Sequence, residues 1–252
     1  MRPVCTVARY VLVEALRSGL AWLVLGCIAV TLGIVSFVAQ VAITETRELQ
    51  AASAGALLRI CAAFLIAAHV VASVAREASD RGLEFALALP ISRTQYYLGR
   101  LTGFTACALL IATAFALPML LWSPPASVAA WGILLAAETA LVASMALFFS
   151  TILAHVAPAL AATAGLYLLG RSIPAMQAIA NGPLGENRES ALGSAVDALA
   201  LLLPRLDLAT KTEWLLHGAP AAAEWLAALA SLAIYFSLLA AAGLFDFSRR
   251  NL

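Results

Sequence analysis

The chain has 252 residues, of which 63% are hydrophobic and only 12% charged, and its net charge is +1. A soluble domain is typically about half apolar and about a quarter charged, so one globular core is excluded. The near-zero charge argues against nucleic acid as a partner. Long apolar stretches therefore read as membrane spans, each needing roughly 20 residues to cross about 30 Å of hydrocarbon.

In chain order, residues 4–17, "VCTVARYVLVEALR", place Val4, Val7, Ala8, Val11, Leu12 and Ala15 at i, i+3, i+4 spacing. This predicts an amphipathic helix on the membrane surface, entering the first crossing. "LVLGC" at 23–27 faintly resembles a lipoprotein cleavage site. The apolar run continues past Cys27 to Ile43, longer than the apolar core of a signal peptide, about 7–15 residues. An uncleaved span is the reading adopted.

Six spans are expected near 18–43, 54–75, 97–122, 128–153, 156–173 and 224–246. Pro118 lies inside the third and is placed to kink it. "SPP" at 123–125 makes a tight turn, and His155 with Pro158 marks a very short one. Segment 174–223 is mixed, and a re-entrant or surface helix on the outer face is expected there. Short loops rich in arginine set orientation. Arg2, Arg9, Arg17, Arg76, Arg81, Arg93, Arg100, Arg249 and Arg250 then lie inside, with both termini cytoplasmic. Cys5, Cys27, Cys61 and Cys107 are scattered singly and read as packing residues, not as a disulfide or metal set.

The densest charge falls in 76–96, "REASDRGLEFALALPISRTQY". Glu77 and Arg81 are four apart, the favourable helical order. Pro90 stops that helix. Ser92 and Gln95 form an S-x-x-Q capping box that starts the next. Helix, proline break and capped helix make a stiff elbow, suited to docking a soluble partner. The plainer alternative is a solvated loop that only enforces topology.

The pattern "E-x3-R-G-L-E-x-A-L-A-L-P-I-S-R-T-Q-Y-Y-L-G-R" resembles the cytoplasmic loop of ABC-2 type transporter permeases, through Glu77, Arg81, Gly82, Glu84, Leu87, Pro90, Ser92, Arg93, Gly99 and Arg100. "ARYVLVEALRSGLAWL" is similar to that family's elbow helix, "LLLPRLDLAT" at 201–210 to its outer-face segment, and "LFDFSRRNL" to its basic end. Leu83 departs from the threonine frequent there. The resemblance implies an all-α, six-helix permease of a bacterial plasma-membrane exporter. It implies pairing as a homodimer or heterodimer through the first and fifth spans. It also implies two copies of a separate ATPase, which bind ATP and Mg, docked on Glu77, Arg81, Glu84, Pro90 and Arg93. The chain itself has one lysine, Lys211, and no G-x4-G-K-[ST] around it.

Ionisable residues inside spans are costly and often functional. Glu138 and Arg59 are candidates for a paired translocation path. The alternative has Arg59 reaching outward and Glu138 protonated or bonded to a nearby Ser or Thr. Proton coupling through Glu138 and His69 would instead indicate an ion-coupled secondary transporter, and a purely structural membrane subunit is a further reading. H-E-x-x-H and G-x-S-x-G are both absent, so no enzyme chemistry is expected in this chain.

Overall fold

The computed structural model describes residues 2–41, 46–79, 92–153, 155–180, 196–200 and 203–249. These are largely helical, with no strand among them. In chain order they form α1 Arg2–Arg17, α2 Leu20–Val41, α3 Thr46–Ser79, α4 Arg93–Met119, α5 Pro125–Ile152 and α6 Val156–Ala180. A 3-10 turn at Leu206–Leu208, the single-turn α7 Glu213–Leu216 and α8 Ala222–Arg249 complete the order. Six helices, α2 to α6 and α8, are long and apolar enough to cross a membrane.

The apolar residues sort these helices into a centre and a rim. α5 is apolar on all sides, and two thirds of its most apolar window is buried inside the protein. A helix greasy all round has no water-facing side and takes the middle of a bundle. α3, α4, α6 and α8 pack around it. α2 and α8 are peripheral, with 17% of their windows buried. The outward residues of α2 include Trp22, Leu25, Ile34 and Phe37, a surface stable only against lipid or another protein.

Proline and capping chemistry set the ends. Pro118 stands one residue before the end of α4 rather than bending its middle, and the chain turns over Leu120–Trp122. Pro125 opens α5, where its missing N–H costs nothing. Ser92 caps α4: its side chain accepts from the Gln95 N–H, and the Gln95 side chain accepts from the Ser92 N–H. α3 begins eight residues earlier than expected, at Thr46 rather than 54, and α6 runs through Pro174 to Ala180 rather than stopping at 173.

The helix expected at 4–17 exists, and its apolar face is the one that is covered. Val11 and Ala15 are buried while Arg9, Tyr10 and Arg17 point out. That face lies on α4 within the bundle, which differs from a helix resting on a membrane surface alone. The physical reason is Gly99-x-x-x-Gly103 on α4. A Cβ at Gly99 would stand 2.7 Å from Val7 Cβ, and one at Gly103 would stand 2.7 Å from Val11 Cβ. Small residues four apart let two backbones approach, and here they form a slot for α1.

Candidate functional site

Two polar centres sit inside this apolar frame. The first gathers where the last turns of α1, α3 and α8 meet the first turns of α4, hereafter the basic end. Glu77, in the final turn of α3, accepts from the Tyr96 hydroxyl and from Arg100 Nη1, both on α4. Tyr96 and Arg100 are one turn apart on one face, so a single carboxylate engages both. The Arg100 guanidinium is buried between two rings, 5.9 Å from the Tyr96 centroid and 5.3 Å from that of Phe104. Ser73 Oγ lies 3.5 Å from Arg100 Nη2 and donates to Glu14 Oε2 on α1 at 3.0 Å. Arg76 Nη2 donates to Glu14 Oε1 at 3.2 Å. Tyr96 stacks on Phe247 of α8 at 6.0 Å between centroids, and Tyr97 lies tilted against the same ring at 5.9 Å. Four helices are thus tied at one point, directly beside the segment between α3 and α4.

Of the residues expected to dock a partner, Glu77 and Arg93 lie on either side of that segment. Arg81, Glu84 and Pro90 fall outside the described residues. The sequence spacing pairs Glu77 with Arg81 along one helix; its described partners are Tyr96 and Arg100 across on the next.

The second centre is at mid-bundle. Glu138 stands 13 residues into α5, roughly 20 Å along its axis, and is fully buried. Its Oε1 accepts from the Tyr167 hydroxyl at 2.9 Å and from Arg171 Nη1 at 3.3 Å. Its Oε2 accepts from Thr210 Oγ1 at 2.5 Å. Tyr167 and Arg171 are again one turn apart, here on α6. Arg171 Nη1 also reaches the Leu206 carbonyl at 2.8 Å. Arg59 Nη1 on α3 donates to the Thr210 carbonyl at 2.9 Å. Arg59 therefore joins the Glu138 centre without being its direct partner, which is Arg171.

The chain after α6 is held by this centre. Leu206, Ala209 and Thr210 are completely buried. A Cβ at Gly170 would meet the Pro204 carbonyl oxygen at 2.8 Å, so that glycine admits the incoming backbone. Thr210 has φ +48°, a left-handed conformation that is a true outlier for a β-branched residue. Such strain costs on the order of 1–3 kcal/mol and persists only where neighbours over-determine it. Glu138 on its hydroxyl and Arg59 on its carbonyl supply that determination. A 3-10 turn makes the inward contact here; of the 174–223 segment, in which a re-entrant or surface helix is expected, residues 181–195 and 201–202 lie outside the described residues.

The buried carboxylate has a donor on each oxygen and faces two guanidinium groups, as burial of a charge requires. The arrangement clamps α3, α5, α6 and the 204–210 segment together. His69 lies ten residues beyond Arg59 on α3, roughly 15 Å away along the axis. It is buried edge-on to Phe104, with 6.1 Å between the rings. No group of three or more His, Cys, Asp or Glu side chains suited to a metal ion occurs among the described residues. No protein-family model matches the chain, and no curated protein sequence matches it.

Proposed function

We propose that the chain is the membrane-spanning subunit of an ATP-driven bacterial exporter, working as a pair and coupled to a separate ATPase. The observation that carries this reading is the joint at Glu77, Tyr96 and Arg100. It welds the helices on both sides of the 80–91 segment to each other, and through Glu14 and Phe247 to α1 and α8. A push on that segment would then move four helices as one body, which is what a docked motor needs. Coupling by separate flexible loops would need no such joint. The sequence carries no phosphate-binding G-x4-G-K-[ST], so in this reading ATP and Mg belong to the partner.

In this reading the basic end faces the cytoplasm of a bacterial plasma membrane. Glu77, Arg81, Glu84, Pro90 and Arg93 meet the ATPase, and Glu138 with Arg59 borders the translocation path from the centre of the bundle. Proton-coupled transport through Glu138 and His69 is less well supported, because His69 lies roughly 15 Å along α3 from Arg59, which joins the Glu138 centre, and both Glu138 oxygens already accept donors.

The test is affinity purification from native membranes. The wild-type chain is expected to bring down a nucleotide-hydrolysing subunit in equal number. Arg81→Glu combined with Glu84→Lys is expected to lose that subunit while keeping its own thermal stability and membrane insertion. A wild-type preparation free of ATPase, or a double variant that still retains it, would sink the proposal.

A further inference from the structure

At the end of the bundle opposite the basic one, two concavities meet. One is a polar pocket of about 690 Å³ at the start of α3, lined by Arg47, Glu48, Trp122 and Ser123 among others. The other is an apolar groove of about 440 Å³ between α4 and α5, lined by residues such as Thr113, Leu117, Ala129 and Ile133. Leu120 and Pro125 line both, so the two adjoin at those residues. Both volumes fall in the range usual for small-molecule sites, about 300–1,000 Å³. The groove faces outward along helices long enough to cross a membrane.

The polar pocket has unused chemistry. Ser123 is 4% exposed, and its hydroxyl has no partner among the described residues. A buried hydroxyl without a partner is costly, so such a group marks a place where a ligand atom belongs. Arg47 spends its Nε on the Trp122 carbonyl at 3.2 Å, which orients the guanidinium, and its two terminal nitrogens have no partner among the described residues. Glu48, its chain neighbour in the same pocket, makes no ion pair among the described residues. Cation and anion side by side match a ligand carrying both charges. Trp122, Trp214 and Trp225 collect at this end, as tryptophan does at a membrane–water boundary.

The geometry points to a binding site for one zwitterionic phospholipid with a phosphoethanolamine headgroup. The phosphate would sit on Arg47 and the Ser123 hydroxyl, the ammonium on Glu48, and an acyl chain in the α4–α5 groove. This assignment does not depend on how transport is powered.

The experiment is native mass spectrometry of the full-length protein in mild detergent, titrated with short-chain phosphoethanolamine and phosphoglycerol lipids of identical acyl length. The phosphoethanolamine lipid is expected to bind at least fivefold tighter. Arg47→Gln should weaken it about fivefold, the scale of one charge-assisted contact at a partly solvated site. Glu48→Gln, at an exposed position that leaves folding alone, should erase the preference between the two lipids. Ala129→Phe, which fills the groove from an exposed position, should weaken both. Equal or tighter binding of the phosphoglycerol lipid would overturn the assignment, as would unchanged selectivity in Glu48→Gln. So would unaltered affinity in Ala129→Phe, or soluble phosphoethanolamine competing as well as the lipid.

Discussion

The two carboxylate–arginine centres use the same parts in different settings. At the basic end the Glu77 side chain is 23% exposed and its partners come from the neighbouring helix. At mid-bundle Glu138 is 1% exposed, and its partners come from residues 29 to 72 positions further along the chain. Both carboxylates bind a Tyr and an Arg spaced one turn apart, so one recognition device is used at two depths. The consequence of losing it should differ. The Glu77 carboxylate itself touches solvent, so water can take its place beside Arg100, although Arg100 is only 7% exposed. The Glu138 carboxylate does not, and breaking a buried pair from one side typically costs about 3–5 kcal/mol.

The largest effect is therefore expected from Glu138→Ala, which strands Arg171 and Thr210. It should lower the thermal unfolding temperature of the detergent-solubilised protein more than any other single change named here. Combining Glu138→Leu with Arg171→Leu should recover part of that loss, because removing both charges is far milder than removing one. Wild-type stability in Glu138→Ala would break the contrast at once. Next comes Gly103→Leu, whose side chain would collide with Val11 on α1. Overpacking of this kind costs about 1–3 kcal/mol. α1 should detach, read as new protease cleavage near Ser18–Gly19 with the remaining helices intact.

Glu77→Ala should be milder for stability than Glu138→Ala, because it unpairs two donors rather than three and Arg100 keeps its contacts with the Tyr96 and Phe104 rings. On the proposed function its distinctive result should be a bound ATPase whose turnover is no longer tied to transport. If Glu77→Ala proves as damaging to unfolding temperature as Glu138→Ala, depth is not what separates the centres. The smallest effect belongs to Arg76→Ala. Its side chain is 51% exposed, and such surface pairs contribute about 0–1 kcal/mol. An unfolding temperature indistinguishable from wild type within a degree or two is expected.

Much of this architecture is legible in the amino-acid sequence. Apolar run length places all six long helices, and Glu138 stands out as a charge among greasy neighbours. The Ser92–Gln95 capping box is readable because its chemistry is local. Helix ends are less legible. "TRELQ" before Ala51 is too polar to read as a span, yet it consists largely of good helix formers, so α3 continues through it. The partner of Glu138 is hidden for a different reason. Arg171 falls near the end of an apolar run, close to Pro174, where polarity reads as loop. Thr210 lies in a stretch without period. Nothing local announces a contact spanning 72 residues. Tyr167 and Arg171 at i and i+4 are the available hint, since two donors on one helical face call for a common acceptor.

The slot for α1 has a bearing on how the molecule is assembled. α1 is made before its seat: Ser73 and Arg76, which hold Glu14, come some sixty residues later, and the Gly99–Gly103 slot some ninety residues after the valines it receives. At translation speeds of about 5–20 residues per second, the delay is roughly three to twelve seconds for the first and roughly five to eighteen for the second. During that interval the newborn helix has an apolar side and nowhere to lay it except lipid or an insertion factor. α1 is thus made before the helices that seat it, and its docking would signal that they have arrived in order.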